Sequence, residues 1–198
     1  MSKYLVIITA FIVLWSGSMH SKEISMKQSA ISKEIDMQKD LISNVIKQEK
    51  NRRQLALELA VIKTQAYLVS LSESKSALDL LSVSAKERFV NSVVFGDNGI
   101  TGFSYTDLEA ELTPTQIYSV LKLFGAQHTV SKFEHARIES AADAMLLNSN
   151  LEYIKIPTGN MPISSLSGTV SRADHKGYAC TGRATCSESQ GQICMSGC

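Results

Sequence analysis

The chain has 198 residues, with 20 Lys and Arg against 19 Asp and Glu, so its formal net charge is +1. The segment most similar to a helix-turn-helix has Lys122 as the only basic residue of its second helix, with Glu109 and Glu111 just before it, so we expect no nucleic-acid binding. The sequence contains no nucleophile-elbow, phosphate-loop or dinucleotide-binding motif, and we expect no cofactor.

The amino terminus predicts export from the cytoplasm. Lys3 precedes an apolar stretch from Tyr4 to Trp15, and the small residues at 16–18 suit a signal peptidase. A helix over this stretch is about 18 Å long, whereas the hydrocarbon core of a bilayer is about 30 Å thick. We therefore interpret residues 1–18 as a cleaved signal peptide. An uncleaved membrane anchor through Tyr4–Trp15 and a core helix of a cytosolic protein are the alternatives.

A long stretch without helix breakers follows. From Ser18 to Phe95 the sequence contains neither glycine nor proline, so we predict long amphipathic helices over residues 22–82. Two stripes recur at alternating spacings of four and three residues, the pattern of one helix face. The first stripe is Ile24, Gln28, Ile31, Ile35, Gln38, Ile42 and Val45, and the second is Leu55, Leu59, Ile62, Ala66 and Val69.

The stripes leave two interpretations open. One is a coiled coil through which the protein self-associates or binds a protein partner, and the other is helical packing within one subunit. Lys47, Lys50, Arg52 and Arg53 form a small basic cluster between the stripes, but Glu49 interrupts it and no aromatic residue is interleaved. We interpret this cluster as a solvated helix surface rather than a nucleic-acid contact.

Residues 84–160 predict a small α+β head. Ser84 and Glu87 resemble a capping box that starts a helix at Ala85. Residues 89–105 are rich in β-branched and aromatic side chains on both sides of a Gly-Asp-Asn-Gly turn, which predicts a β-hairpin.

The rest of the head predicts three helices and a strand. A short helix covers Thr106–Leu112. Thr113 caps the next helix, with Pro114 at its first position, Gln116 completing a capping box and Gly125 at its end. A third helix over Ser131–Asn148 and a strand over Leu151–Ile156 complete the predicted head.

All four cysteines lie within the last nineteen residues, at Cys180, Cys186, Cys194 and Cys198. The surrounding segment is rich in Ser, Thr and Gly and has little apolar surface to bury, so we predict that residues 161–198 form a linker and a tail stapled by two disulfides. Three pairings are possible and the sequence does not select one. Free or intermolecular thiols and a metal site are the alternatives; the C-x5-C-x7-C-x3-C spacing lacks the paired knuckles of structural zinc sites, so we expect no metal.

Two further sets of residues could carry chemistry. His128, Glu134 and His135 lie close in sequence, but zincin chemistry needs two histidines one helical turn apart. His175 and Cys180 could form a nucleophilic pair beside Tyr178, although a cysteine with three neighbours is more often cross-linked. We assign no catalytic residue to either set.

Together these features predict an α+β protein with long amino-terminal helices, a small head and a disulfide-stapled tail. The preferred function is that of an exported cell-envelope or surface protein with a structural, adhesion- or assembly-type interaction role. One alternative is a precursor of a secreted cysteine-rich peptide, released near Arg172 or Lys176. Another is an exported hydrolase or redox enzyme.

Overall fold

This computed structural model describes residues 3–148 and 174–198, with side chains from Lys27 onward except those of residues 29 and 30. The chain divides into an amino-terminal unit, Met1–Gln48, and a carboxy-terminal unit, Glu49–Cys198. The predicted strand Leu151–Ile156 and the predicted cleavage residue Arg172 lie outside the described residues.

Helix α1 runs from Lys3 to Glu58, as the absence of glycine and proline beyond Ser18 predicts. No side chain described between Lys27 and Gln48 is buried. Among the residues that the structure describes, no helix combines the length and the apolar character that crossing a membrane requires.

The second predicted stripe does not lie on one helix. Helix α1 ends at Glu58, and the backbone N–H of Ile62 donates to the carbonyl of Leu123 over 2.8 Å. Helix α2, Gln65–Ser72, then begins beside Thr64, whose Oγ1 accepts from the backbone N–H of Tyr67. A continuous stripe was therefore the wrong prediction here, because tertiary contacts bury Ile62 and end the helix. The large members left exposed are Leu55, Leu59 and Val69.

Helix α3, Val83–Ser92, starts two residues earlier than predicted. Its amino-terminal cap is Ser82, whose Oγ accepts from the backbone N–H of Ala85. The predicted strand character of residues 89–92 is wrong, because Phe89 and Val90 are buried on this helix. A 3-10 helix, Ala77–Leu80, precedes α3.

Helices α4, Thr106–Glu111, and α5, Pro114–Lys122, lie close to their predicted positions. The Gln116 side chain accepts from the backbone N–H of Thr113, as the capping box predicts. Gly125 follows α5 with a φ of +73°, and a Cβ built there would lie 2.6 Å from the carbonyl oxygen of Ala56. Glycine is required at this position both by the backbone conformation and by the close approach.

The helix predicted over Ser131–Asn148 is shorter in the structure. Residues Gln127–Lys132 form a 3-10 helix, and α6 covers only Ala141–Asn148. Asp143 fixes the start of α6, since its carboxylate accepts from the hydroxyl of Ser140 and from the backbone N–H and hydroxyl of Thr115.

Among residues 3–148 and 174–198, four antiparallel strands form one sheet in the order β1-β2-β4-β3. The strands are β1, Val94–Gly96; β2, Gly99–Ser104; β3, His175–Gly182; and β4, Thr185–Cys194. Because β4 pairs with β2 through Gly102–Cys194, Phe103–Ile193 and Ser104–Gln192, the cysteine segment shares the sheet of the predicted head.

The core of the carboxy-terminal unit lies between this sheet and the helices. Phe89 packs edge-to-face against Phe103 and Phe124, and all three are fully buried. Ile193 and Met195 bring the cysteine segment into the same core. The segment therefore buries more apolar surface than its composition suggests.

Candidate functional site

Two disulfides fasten the β3–β4 hairpin and the carboxy terminus. Cys180 bonds Cys198, and Cys186 bonds Cys194. Cys180 and Cys186 face each other across the two strands, yet each is bonded to a cysteine near the end of the chain. The predicted disulfide bonds are thus present, with a pairing that the sequence left open.

The four sulfur atoms form one cluster. The Sγ atoms of Cys180, Cys194 and Cys198 all lie within 4.8 Å of one another, a spacing that reduced thiolates could use for a metal ion. In this structure every cysteine is in a disulfide, so none offers a thiolate.

The tip of the hairpin is exposed beyond the disulfides. Arg183 and Ala184 form the turn between Gly182 and Thr185, and Ala184 has a φ of 60°. The backbone N–H of Ala184 donates to the carbonyl of Cys198 over 2.6 Å, which ties the turn to the chain terminus. We call the exposed part the hairpin tip; it comprises Thr181, Gly182, Arg183, Ala184, Thr185, Ser187, Glu188 and Gln190.

A buried carboxylate lies at the start of β3. The side chain of Asp174 is fully buried, and its Oδ2 lies 2.9 Å from Nη1 of Arg53 and 3.0 Å from Nε2 of His128. Its Oδ1 accepts from the backbone N–H of Ser196 over 2.8 Å. Asp174 thereby joins α1, the second 3-10 helix and the carboxy-terminal residues.

The partners of Asp174 keep it ionised. Burial alone would raise the pKa of Asp174, but the hydrogen bond and charge of His128, the Ser196 N–H and the charge of Arg53 outweigh burial and lower the pKa to about 2. Arg53 also donates to Glu49 over 2.8 Å. A second carboxylate thus shares the charge of Arg53.

Two buried polar atoms of neighbouring residues have no hydrogen-bond partner among the described residues. They are Nδ1 of His128 and Oε1 of Gln127, and both are buried. Since Nε2 of His128 faces Asp174, the ring can offer only Nδ1 to another group.

A second polar contact holds β3 from the side of α4. Nζ of Lys176 lies 3.1 Å from Oε1 of Glu109 and 4.7 Å from the ring centre of Tyr105. The same Glu109 oxygen accepts from the backbone N–H of His135. The hairpin is therefore fixed by charge contacts as well as by disulfides.

The sequence-derived candidates do not converge into one site. His128 is buried against Asp174, whereas Glu134 and His135 are exposed. The ring of His175 packs edge-to-face on Tyr178, and Cys180 is held in a disulfide.

Sequence reasoning missed Asp174 altogether. Its partners Arg53 and His128 lie 121 and 46 residues away along the chain, and Ser196 lies 22 residues away. A single aspartate in a polar segment gives no local pattern that would indicate these contacts.

Comparison of the chain with protein-family models, with curated proteins and with solved structures found no match.

Proposed function

We propose that this chain is an exported cell-envelope or surface protein with a structural, adhesion- or assembly-type interaction role. The observation that carries the proposal is that two disulfides within residues 180–198 use all four cysteines. Disulfides persist in oxidising compartments and are rare where glutathione and thioredoxin keep thiols reduced. The export signal predicted over residues 1–18 agrees with this assignment.

The hairpin tip is the surface that we assign to partner contact. It is polar and exposed, and it is connected through β4 to β2, which is buried along most of its length. Disulfides on both of its strands limit its motion. A loop held in one conformation loses less entropy on binding than a mobile loop does.

An interaction role fits the polar residues better than hydrolase or redox chemistry does. The ring of His128 contacts Asp174, whereas Glu134 and His135 lie on the surface. The sulfur of Cys180 is in a disulfide with Cys198. A nucleophile needs a base within hydrogen-bond reach, and these residues do not supply such a pair.

The strand pairing around Lys176 favours an uncut chain over a peptide precursor. Lys176 lies within β3 and contacts Glu109, and β4 pairs with β2. Releasing a peptide after Lys176 would divide β3, separate β4 from β2 and break the hydrogen bond from the Ser196 N–H to Asp174.

Fractionation of natively producing cells with a thiol-reactive polymer tests this function. We expect the chain outside the cytoplasm, with labelling only after reduction. A Cys186→Ser variant, which frees the Cys194 thiol, is the positive control and should label once in denaturant without reductant. A cytosolic chain that labels at four thiols would contradict the proposal, and a small cysteine-rich fragment would favour the precursor.

A further inference from the structure

The amino-terminal unit carries an apolar seam on α1 that is open to solvent. The seam consists of Gln28, Ile31, Ile35, Gln38, Ile42 and Val45, which follow one another at spacings of three and four. Ile31 is 59% exposed, and Ile35, Ile42 and Val45 are half-buried. A helix with isoleucines on an exposed face gains stability when another helix covers that face.

We propose that three copies of this chain associate in parallel through the seam. The proposal rests on the interaction role proposed above and names the partner of α1 as further copies of the same chain. In heptad terms Ile35 and Ile42 occupy position a, and Ile31 and Val45 occupy position d. β-Branched residues at a with leucine at d favour a coiled coil of two helices, whereas isoleucine at both positions shifts the preference to coiled coils of three or four helices. The seam has no leucine at d.

The flanking charges select the parallel orientation. In a parallel, in-register coil, position g of one chain faces position e of the next chain, five residues further on. Glu34 occupies g and Lys39 occupies e, so the glutamate of one copy meets the lysine of the next. Within its own helix Lys39 lies 3.8 Å from Asp36, a long and exposed pair of little energetic weight.

Two further features agree with this register. The same g-to-e rule brings Leu41, which is 60% exposed, next to Ile46 of the neighbouring copy. Gln28 at a and Gln38 at d would form polar layers across the seam, and such layers fix the register of coiled coils at some cost in stability.

The sedimentation-equilibrium mass of the natively produced, purified chain tests the stoichiometry. We expect three times the mass of one mature chain. Ile42→Asn should give monomers, whereas Met37→Asn, at the off-seam position c and 60% exposed in the native chain, should leave the trimer intact. A wild-type mass of one, two or four chains would overturn the proposal, and so would equal dissociation of both variants.

Replacement of the residues at position d tests the number of helices in the coiled coil. Ile31→Leu combined with Val45→Leu creates the pattern that favours a coiled coil of two helices, so the mass should fall from three chains to two. An unchanged trimer would overturn the assignment of Ile31 and Val45 to position d.

Cross-linking and charge reversal test the orientation. Gln38→Cys should link neighbouring copies under mild oxidation, whereas Ser43→Cys at the outer position b should not. Glu34→Lys should weaken association, and adding Lys39→Glu should restore it. If the Gln38→Cys variant forms no link between copies, or if the charge rescue fails, the parallel arrangement is overturned.

The disulfide state and the cellular compartment of the chain are measured separately on the same samples. A monomer with both disulfides outside the cytoplasm would overturn the trimer alone. A reduced chain in the cytosol would overturn the proposed function.

Discussion

The two units of this chain use their apolar side chains differently. In the carboxy-terminal unit Phe89, Phe103 and Phe124 are fully buried against one another. In the amino-terminal unit Ile31 and its neighbours on α1 remain open to solvent. Both units show regular apolar spacing in the sequence. Such spacing therefore indicates that a face is apolar, and it does not indicate whether one chain or several chains cover that face.

The cysteine segment lies between these two extremes. Ile193 and Cys194 are fully buried in the core, whereas the hairpin tip is exposed. Core packing therefore fixes one end of β4, and the disulfides hold the other end. The segment depends on two sources of stability at once.

Phe89→Ala gives the largest effect and tests the contrast between the units directly. We expect a loss of about 3–5 kcal/mol in the free energy of unfolding, because the substitution leaves a cavity between two aromatic rings. Met37→Ala on the exposed face of α1 should change the free energy of the isolated chain by less than about 0.5 kcal/mol. Urea titration of both variants measures this difference, and equal losses would refute the contrast.

Removal of the Cys180–Cys198 disulfide should come next. The bond closes a sequence separation of 18 residues, and loop-closure entropy assigns it about 3 kcal/mol. Cys180→Ala with Cys198→Ala should therefore cost more than Cys186→Ala with Cys194→Ala, whose bond closes a separation of 8 residues. Thermal unfolding of the two double variants ranks them, and the reverse order would show that packing outweighs loop closure here.

Asp174→Asn should cost about 2 kcal/mol near neutral pH, because it removes the charge that faces Arg53 and His128. The pKa of Asp174 is lower in the folded chain than in the unfolded chain. Its stabilising contribution is therefore complete above the ordinary aspartate pKa, near 3.8, and is lost as the pH falls through about 2.

Unfolding measurements at pH 6 and at pH 2 check this linkage. The stability gap between wild type and Asp174→Asn should shrink at the lower pH. Asp143, whose pKa is also lowered because hydrogen bonds from Thr115, Ser140 and Glu139 outweigh its burial, titrates in both proteins and should cancel. A gap that stays constant would mean that the charge of Asp174 contributes nothing to stability.

Ser82→Ala should lower the free energy of unfolding by about 1 kcal/mol, through loss of the α3 cap. The Ser82 hydroxyl also donates to Glu111 over 2.7 Å, so Glu111→Gln separates the two contacts. Chemical denaturation should show a smaller loss for Glu111→Gln than for Ser82→Ala. A larger loss for Glu111→Gln would assign the stability to the link between α3 and α4.

Local signals in the sequence predicted some elements well. Thr113, Pro114 and Gln116 mark the start of α5 because capping depends on neighbouring backbone groups. The clustering of the cysteines indicated cross-links. These features depend on residues that are near one another in the chain.

The other predictions were wrong because they concern residues whose structure depends on contacts with distant parts of the chain. Helix α1 ends at Glu58, shortly before the Ile62 N–H donates to the carbonyl of Leu123. Residues 89–92 are helical, and Phe89 packs on Phe103 and Phe124. The partners of Asp174 are also remote, as Arg53 lies 121 residues away. Tertiary packing of this kind overrides the intrinsic helix and strand propensities of the residues, and no local sequence pattern indicates which distant residues will pack together.

The most direct test of the central claim is the intact mass of the natively produced protein under non-reducing conditions. We expect the chain to be lighter by four hydrogens than its reduced form, with links between Cys180 and Cys198 and between Cys186 and Cys194 after proteolysis. A native chain at its fully reduced mass would contradict the claim.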